Sequence, residues 1–441
     1  MSVISRADFN TSTPLDRSLP PASGDIQMPI IPPFTNTVLP NGVSMFLMRG
    51  SAQPVVKVDV AFDAGSLRAH LPLLAKSTAD LLVMGTQGHS AAQIMDTLDF
   101  FGASIYGSAT LRRAIVSLVC LQKDLHVLLP LLCEVVFQPT FPSDEVELYL
   151  DQERQNFAVS LLKTKVLANR AMMPLLYQEG DRYGRCAQIE DFDAITSDRL
   201  KAFHAETYTS VGASLYVSGS LSDADIQLIA DAFGTPAWQT GTPWQVPMPR
   251  FVAQPQRQYI NFDSEQTSIR VACRSISKVD PDYYRFRIMD TAFGGYFGCR
   301  LMQTIRERMG LTYGIGSVIS ANTLFGVHSI ISEVRAGSHQ QVIDEIFNQM
   351  CSIASETEKV TPKELESIRG YMLGDILRSF DNLLTAADTI GNLYAEGLTA
   401  SRVEEYFNSI KLASIEELTA TAVKYLIPEN YSVVAVGPNL S

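Results

Sequence analysis

A repeated order of elements constrains this chain more than any other feature. In the first half, residues 94–101 carry apolar side chains at helical spacing (Ile94, Leu98, Phe101), and Gly102 then breaks the pattern. Two strand-like runs follow, at 103–108 and 114–121. Glycine can stop a helix by taking a left-handed backbone at no steric cost. The second half reads the same way: a helical stretch at 299–309, Gly310, then strand-like runs at 312–320 and 326–334. The strand-like runs 56–60 and 268–272 also correspond at nearly the same offset. Identical residues are few, so the duplication is one of architecture.

Between the halves lies the segment 235–256, with Pro236, Pro243, Pro247, Pro249 and Pro255. Proline fixes the backbone and removes a donor, so this segment is neither helix nor central strand and reads as a linker. The chain therefore divides into an extended arm at 1–34, a domain at 35–234, the linker, and a second domain at 257–441. Both domains are expected to be α+β. Pro40-Asn41-Gly42 between two apolar runs predicts a β-hairpin near the start of the first domain. Further helices are expected at 73–84, 125–137, 143–167, 281–293, 340–355 and 362–384.

Composition narrows the function. With 35 basic and 47 acidic residues the net charge is −12, and there is no basic stripe of the kind a nucleic-acid partner requires. The cysteines, at 120, 133, 186, 273, 299 and 351, lie too far apart for a zinc ribbon or a disulfide framework, and free thiols are expected. No stretch reaches the ~18 apolar residues that span a bilayer, so no membrane partner is expected. The N-terminal residues lack an apolar core behind basic ones, and Asp8, Asp16 and Asp25 count against a transit peptide. A cytoplasmic location is the expectation.

Several blocks now point to a family. LPNGVSMFLMRG, VVKVDVAFDAGS and LLAKSTADLLVMGT, followed by FGGYFGCRLMQTIRERMGLTYGIGS and AVKYLIPENYSVVAVGP, resemble the insulinase/pitrilysin-type zinc peptidases, over residues 35–440. The resemblance implies two homologous domains, each an antiparallel-rich β-sheet with helices on one face, together forming a half-shell. It also exposes a loss. In active relatives His-x-x-Glu-His supplies two zinc ligands on one helix face and a general base. This chain has Lys76, Ala79 and Asp80 at those three positions. A lysine, with a reference pKa of about 10.4, is cationic at neutral pH and repels a dication. Alanine takes no proton from water. The family's third ligand is a glutamate seven residues after another glutamate. With Glu153 as the earlier one, that ligand falls at Ser160, and a shift to Asn156 would serve no better. The histidines (His70, His89, His126, His204, His328, His339) offer no substitute pair by spacing. No metal is expected in this chain, and no cofactor.

The resemblance also implies something retained. Active relatives place an arginine and, seven residues on, a tyrosine against the substrate beside the zinc, and Arg306 and Tyr313 match those positions. Both can donate hydrogen bonds to a carbonyl oxygen that gains charge during attack. From charge pattern alone, residues 306–308 read as a solvated helical turn; the resemblance is what shifts that reading. Gly294, Gly295 and Gly298 lack the lysine and hydroxyl of a phosphate loop and read as close packing or a turn. The resulting expectation is a subunit that is inactive alone. It would bind unfolded peptide and lend Arg306 and Tyr313 to a homologous zinc-bearing subunit, as some bacterial members of the family divide the work. A structural scaffold, or a peptide-binding homodimer without proteolysis, are the alternatives.

Overall fold

The computed structural model describes residues 24–50, 53–235, 238 and 241–440. Most of the expected N-terminal arm, and Pro236 in the linker, lie outside the described residues.

Two sheets organise the chain. The first contains β1 (Phe34–Val38), β2 (Ser44–Arg49), β3 (Val55–Phe62), β4 (Ser104–Ala109), β5 (Ala114–Leu121) and β6 (Ser214–Gly219), in the order β1-β2-β6-β3-β5-β4. All its pairings are antiparallel except β2 with β6. The second contains β7 (Arg257–Asn261), β8 (Gln266–Ser275), β9 (Thr312–Ala321), β10 (Gly326–Arg335) and β11 (Ser432–Gly437), in the order β7-β11-β8-β10-β9. Here only β7 with β11 is parallel. The α+β architecture with antiparallel-rich sheets is as the sequence implied.

Alternation decides which face meets which helices. In β3, Val56, Val58, Val60 and Phe62 enter one core with α1 (Leu74–Leu81), α2 (Ala91–Phe101), α3 (Leu125–Phe137) and their neighbours. Lys57 faces the other way. A strand turns successive side chains to opposite faces, and each fully buried aliphatic or aromatic side chain contributes about 1.5–3 kcal/mol. Gly102 closes α2 at φ 59°, and Ser90 opens it with a reciprocal capping box to Gln93.

Some expected helices divide. The stretch 143–167 becomes α4 (Ser143–Ser160) and α5 (Thr164–Leu176), because Lys163 takes an extended backbone between them. The stretch 362–384 becomes α10 (Pro362–Arg378) and α11 (Leu383–Ala395), where Asn382 caps the new helix by accepting from the Thr385 N–H. Between α5 and α10 in chain order come α6 (Ser197–Thr207), α7 (Asp223–Phe233), α8 (Tyr283–Asp290) and α9 (His339–Ile353). The chain ends with α12 (Ser401–Leu412), α13 (Ile415–Tyr425) and β11. Helix α8 widens into a π-turn at Thr291–Gly295, and a second π-turn spans Met302–Arg308. A Cβ on Gly294 would collide with Ser317 of β9, which is the close packing expected there.

The halves exchange helices. Helix α5 packs on β8 and β11 of the second sheet, burying Ala168, Met172, Leu175 and Leu176 against Ala272, Val434 and Val436. In return α11 lies on β2 and β6 of the first sheet, where Lys57 meets Asp388 at 2.7 Å and Phe46 and Tyr216 stack near Tyr394. The alternate residues Ile269, Val271 and Val433 point into the second main core, so β8 and β11 are covered on both faces. The six cysteines are free.

Candidate functional site

Helix α1 carries Lys76, Ala79 and Asp80 and packs on β4. Its approach is close because β4 contributes Gly107: a Cβ there would overlap the carbonyl oxygen of Ala79. Ala79 is fully buried by this contact, while Lys76 and Asp80, one turn apart, face α4.

The Lys76 ammonium is the centre of the site. Its Nζ donates to Asp80 Oδ2 at 2.6 Å, to Glu153 Oε2 at 2.8 Å and to the Tyr149 hydroxyl at 3.1 Å. An ammonium has three N–H bonds, and all three are used. The Tyr149 hydroxyl in turn donates to Asp80 Oδ2 at 2.6 Å. Burial alone would lower the Lys76 pKa, but the hydrogen bonds to Asp80, Glu153 and Tyr149 outweigh it and raise it above the usual lysine value. The hydrogen bond from Lys76 likewise holds the Glu153 carboxyl below its usual range. Burial, together with donation to Asp80, pushes the Tyr149 phenol up. A fixed positive charge thus sits between two carboxylates.

Glu153, and not Ser160, is the α4 residue that meets positions 76 and 80. Ser160 lies two turns, roughly 10 Å, further along the helix, where its hydroxyl donates to the Phe157 carbonyl at 2.7 Å. Asn156 only touches Glu153 Oε1, at 3.4 Å. Ser160, the expected corner position, thus makes no hydrogen bond to Lys76 or Asp80, and spacing alone fixes no register for α4.

These residues do not fit a zinc ion. The two carboxylates are already held by an ammonium that would stand against any metal. Among the described residues no group of three or more His, Cys, Asp or Glu side chains could hold one.

Arg306 and Tyr313 lie elsewhere, on the second sheet's open side. Gly310, at φ 64°, turns the chain from the π-turn into β9, the edge strand, and Tyr313 at its second position is 91% exposed. The Arg306 guanidinium lies 4.7 Å over the ring of Phe297, itself 64% exposed. Among the described residues, no carboxylate pairs with Arg306. Nothing in the sequence pattern marks Phe297, sixteen residues before Tyr313 and just past Gly294 and Gly295. No contact joins this pair to Lys76.

Known proteins share this fold. The description "Peptidase M16 inactive domain" matches residues 194–371. A solved peptidase M16 inactive domain from Pseudomonas fluorescens superposes with a TM-score of 0.84 at 25% identity, covering 92% of this chain and 99% of that one. These likenesses are to the insulinase/pitrilysin-type peptidases, with the family match confined to residues 194–371. An uncharacterized zinc protease of Mycobacterium leprae is 23% identical over 82% of this chain and 81% of its own length. A probable inactive metalloprotease of Bacillus subtilis is 22% identical over 69% of this chain and 72% of its own. The fold is also that of a protease from Helicobacter pylori, with a TM-score of 0.78 at 15% identity. The partial family match and the solved neighbour are both described as inactive peptidase M16 domains. No helix among the described residues is long and apolar enough to cross a membrane.

Proposed function

We propose that this chain is the substrate-binding subunit of a heteromeric zinc peptidase, and that it supplies Arg306 and Tyr313 to a zinc site carried by a homologous partner. One contrast carries the reading: the metal corner is closed by Lys76, whereas Arg306, Phe297 and Tyr313 stand open beside a free sheet edge. In the partnered state the guanidinium and phenol would donate to the scissile carbonyl as its oxygen becomes negative. The unpaired edge of β9 offers backbone groups to an extended, unfolded peptide with little demand on its sequence. Zinc would belong to the partner alone.

The test is co-expression with a homologue that retains His-x-x-Glu-His, followed by cleavage of a quenched peptide. Arg306→Ala and Tyr313→Phe should each lower turnover of the pair, on the order of 100-fold for loss of a donor to the developing charge. Unchanged turnover in both variants removes the role assigned to them. A stable pair that never cleaves peptide would instead make the chain a scaffold, and a homodimer by mass with peptide affinity would make it a binding protein.

A further inference from the structure

A cavity of about 210 Å³ opens in the helical layer of the second half, between α8, α10, α11 and α12. It lies apart from both the Lys76 corner and the Arg306 edge. Its charged lining is Lys278, Arg287, Arg402 and Asp375. Two of the three cations are already committed. Lys278 Nζ meets Glu396 Oε1 at 2.5 Å, and Arg402 meets Glu405 Oε2 at 2.7 Å and the Lys278 carbonyl at 2.6 Å. Asp375 pairs with Arg378 at 2.9 Å.

Arg287 differs. Its guanidinium is held 4.4 Å over the ring of Tyr406 and 6.0 Å from that of Tyr283, which fixes its plane. Among the described residues no carboxylate or carbonyl accepts a hydrogen bond from it. A guanidinium carries five N–H bonds in a planar fork suited to bidentate contact with a carboxylate, and here those N–H bonds face the cavity without a protein acceptor among the described residues. Ile376, Phe380, Leu393 and Val403 form the apolar part of the wall, beside the hydroxyl-bearing Ser379 and Thr389.

We propose that this cavity binds a small monocarboxylate with an apolar or aromatic body, its carboxylate forked by Arg287 and its body against Leu393 and Val403. One uncommitted cation matches one negative charge. Asp375 on the same wall disfavours a second, which argues for a monocarboxylate over a phosphate or polyanion. The volume admits an acid of benzoate or phenylacetate size.

The full chain would be titrated calorimetrically with benzoate, phenylacetate, benzyl alcohol and inorganic phosphate. The acids should bind with a Kd near or below about 1 mM, and the alcohol and phosphate at least about tenfold more weakly. Arg287→Met should weaken benzoate by about tenfold or more, and Val403→Trp, which fills the cavity and keeps the charge, should do the same. Because either variant can unfold the chain, protection is also read on the unaltered protein: saturating benzoate should slow phenylglyoxal modification of Arg287, mapped by mass spectrometry. Benzoate that fails to bind below about 10 mM, phosphate or alcohol that binds as well as the acids, or Arg287 modified at an unchanged rate would overturn the proposal.

Discussion

Replacing Lys76 with methionine isolates the one charge on which the closed metal corner depends. The substitution keeps the aliphatic length and removes the ammonium, leaving Asp80 and Glu153 without their common donor. Both ion pairs are partly exposed, with side-chain exposures of 51% for Lys76, 28% for Asp80 and 31% for Glu153, so solvent screens them. Exposed pairs of this kind are worth roughly 0.2–1 kcal/mol each. Two of them, plus the repulsion that two facing carboxylates would then suffer, put the loss at about 1–2 kcal/mol near pH 7. The pH dependence follows from the direction of the shifts. Glu153 is depressed in the folded state by its hydrogen bond from Lys76, so its contribution is present above the ordinary carboxylate pKa and is lost as pH falls through the lower, folded value. Lys76 is raised, so its contribution is present below the ordinary lysine pKa and disappears only as pH climbs through a value above it. Urea denaturation of both proteins should therefore give a gap that is flat from about pH 5 to 10 and narrows toward pH 3. A variant indistinguishable from the parent at pH 7, or a gap of equal size at pH 3, would refute the reasoning.

Three further outcomes are expected. Lys76→His combined with Asp80→His should create a zinc site completed by Glu153, seen as about one zinc per chain by elemental analysis. Adding Glu153→Gln should weaken it by more than the ~10-fold typical of an outer-shell loss, whereas Ser160→Ala should leave it unchanged. Gly107→Ala should force α1 away from β4 and destabilise the fold by about 1–3 kcal/mol in thermal or denaturant melts. Asp290→Ala should cost a similar ~1–3 kcal/mol, because it removes the carboxylate that meets the buried His328 Nε2 at 2.8 Å and accepts from the Ser317 hydroxyl; circular dichroism melts would read the change.

The sequence made the first sheet's helices legible where a capping residue and a glycine bracketed an apolar repeat, as Ser90 and Gly102 bracket α2. It gave less notice where the break depended on backbone conformation without proline or glycine. The bend at Lys163 that separates α4 from α5 carries no such marker, and the asparagine that restarts the chain at α11 is a weak signal amid apolar residues. The same weakness explains why Glu153 was not foreseen as the partner of Lys76: the register of α4 against α1 is set by packing, which spacing does not report. Lys76, Ala79 and Asp80 could be read as a vanished metal motif from the chain alone. That the lysine would spend all three of its N–H bonds on Asp80, Glu153 and Tyr149 required three-dimensional proximity between residues far apart in sequence.

The exchange of α5 and α11 has a practical bearing on how the protein can be handled. Proteolysis or gene truncation within the proline-rich segment would leave each fragment holding a helix whose apolar side belongs to the other fragment, and each sheet with a bare strip where that helix had been. Such fragments should aggregate when made singly and regain order when produced together, so the molecule behaves as one folding unit despite its duplicated plan.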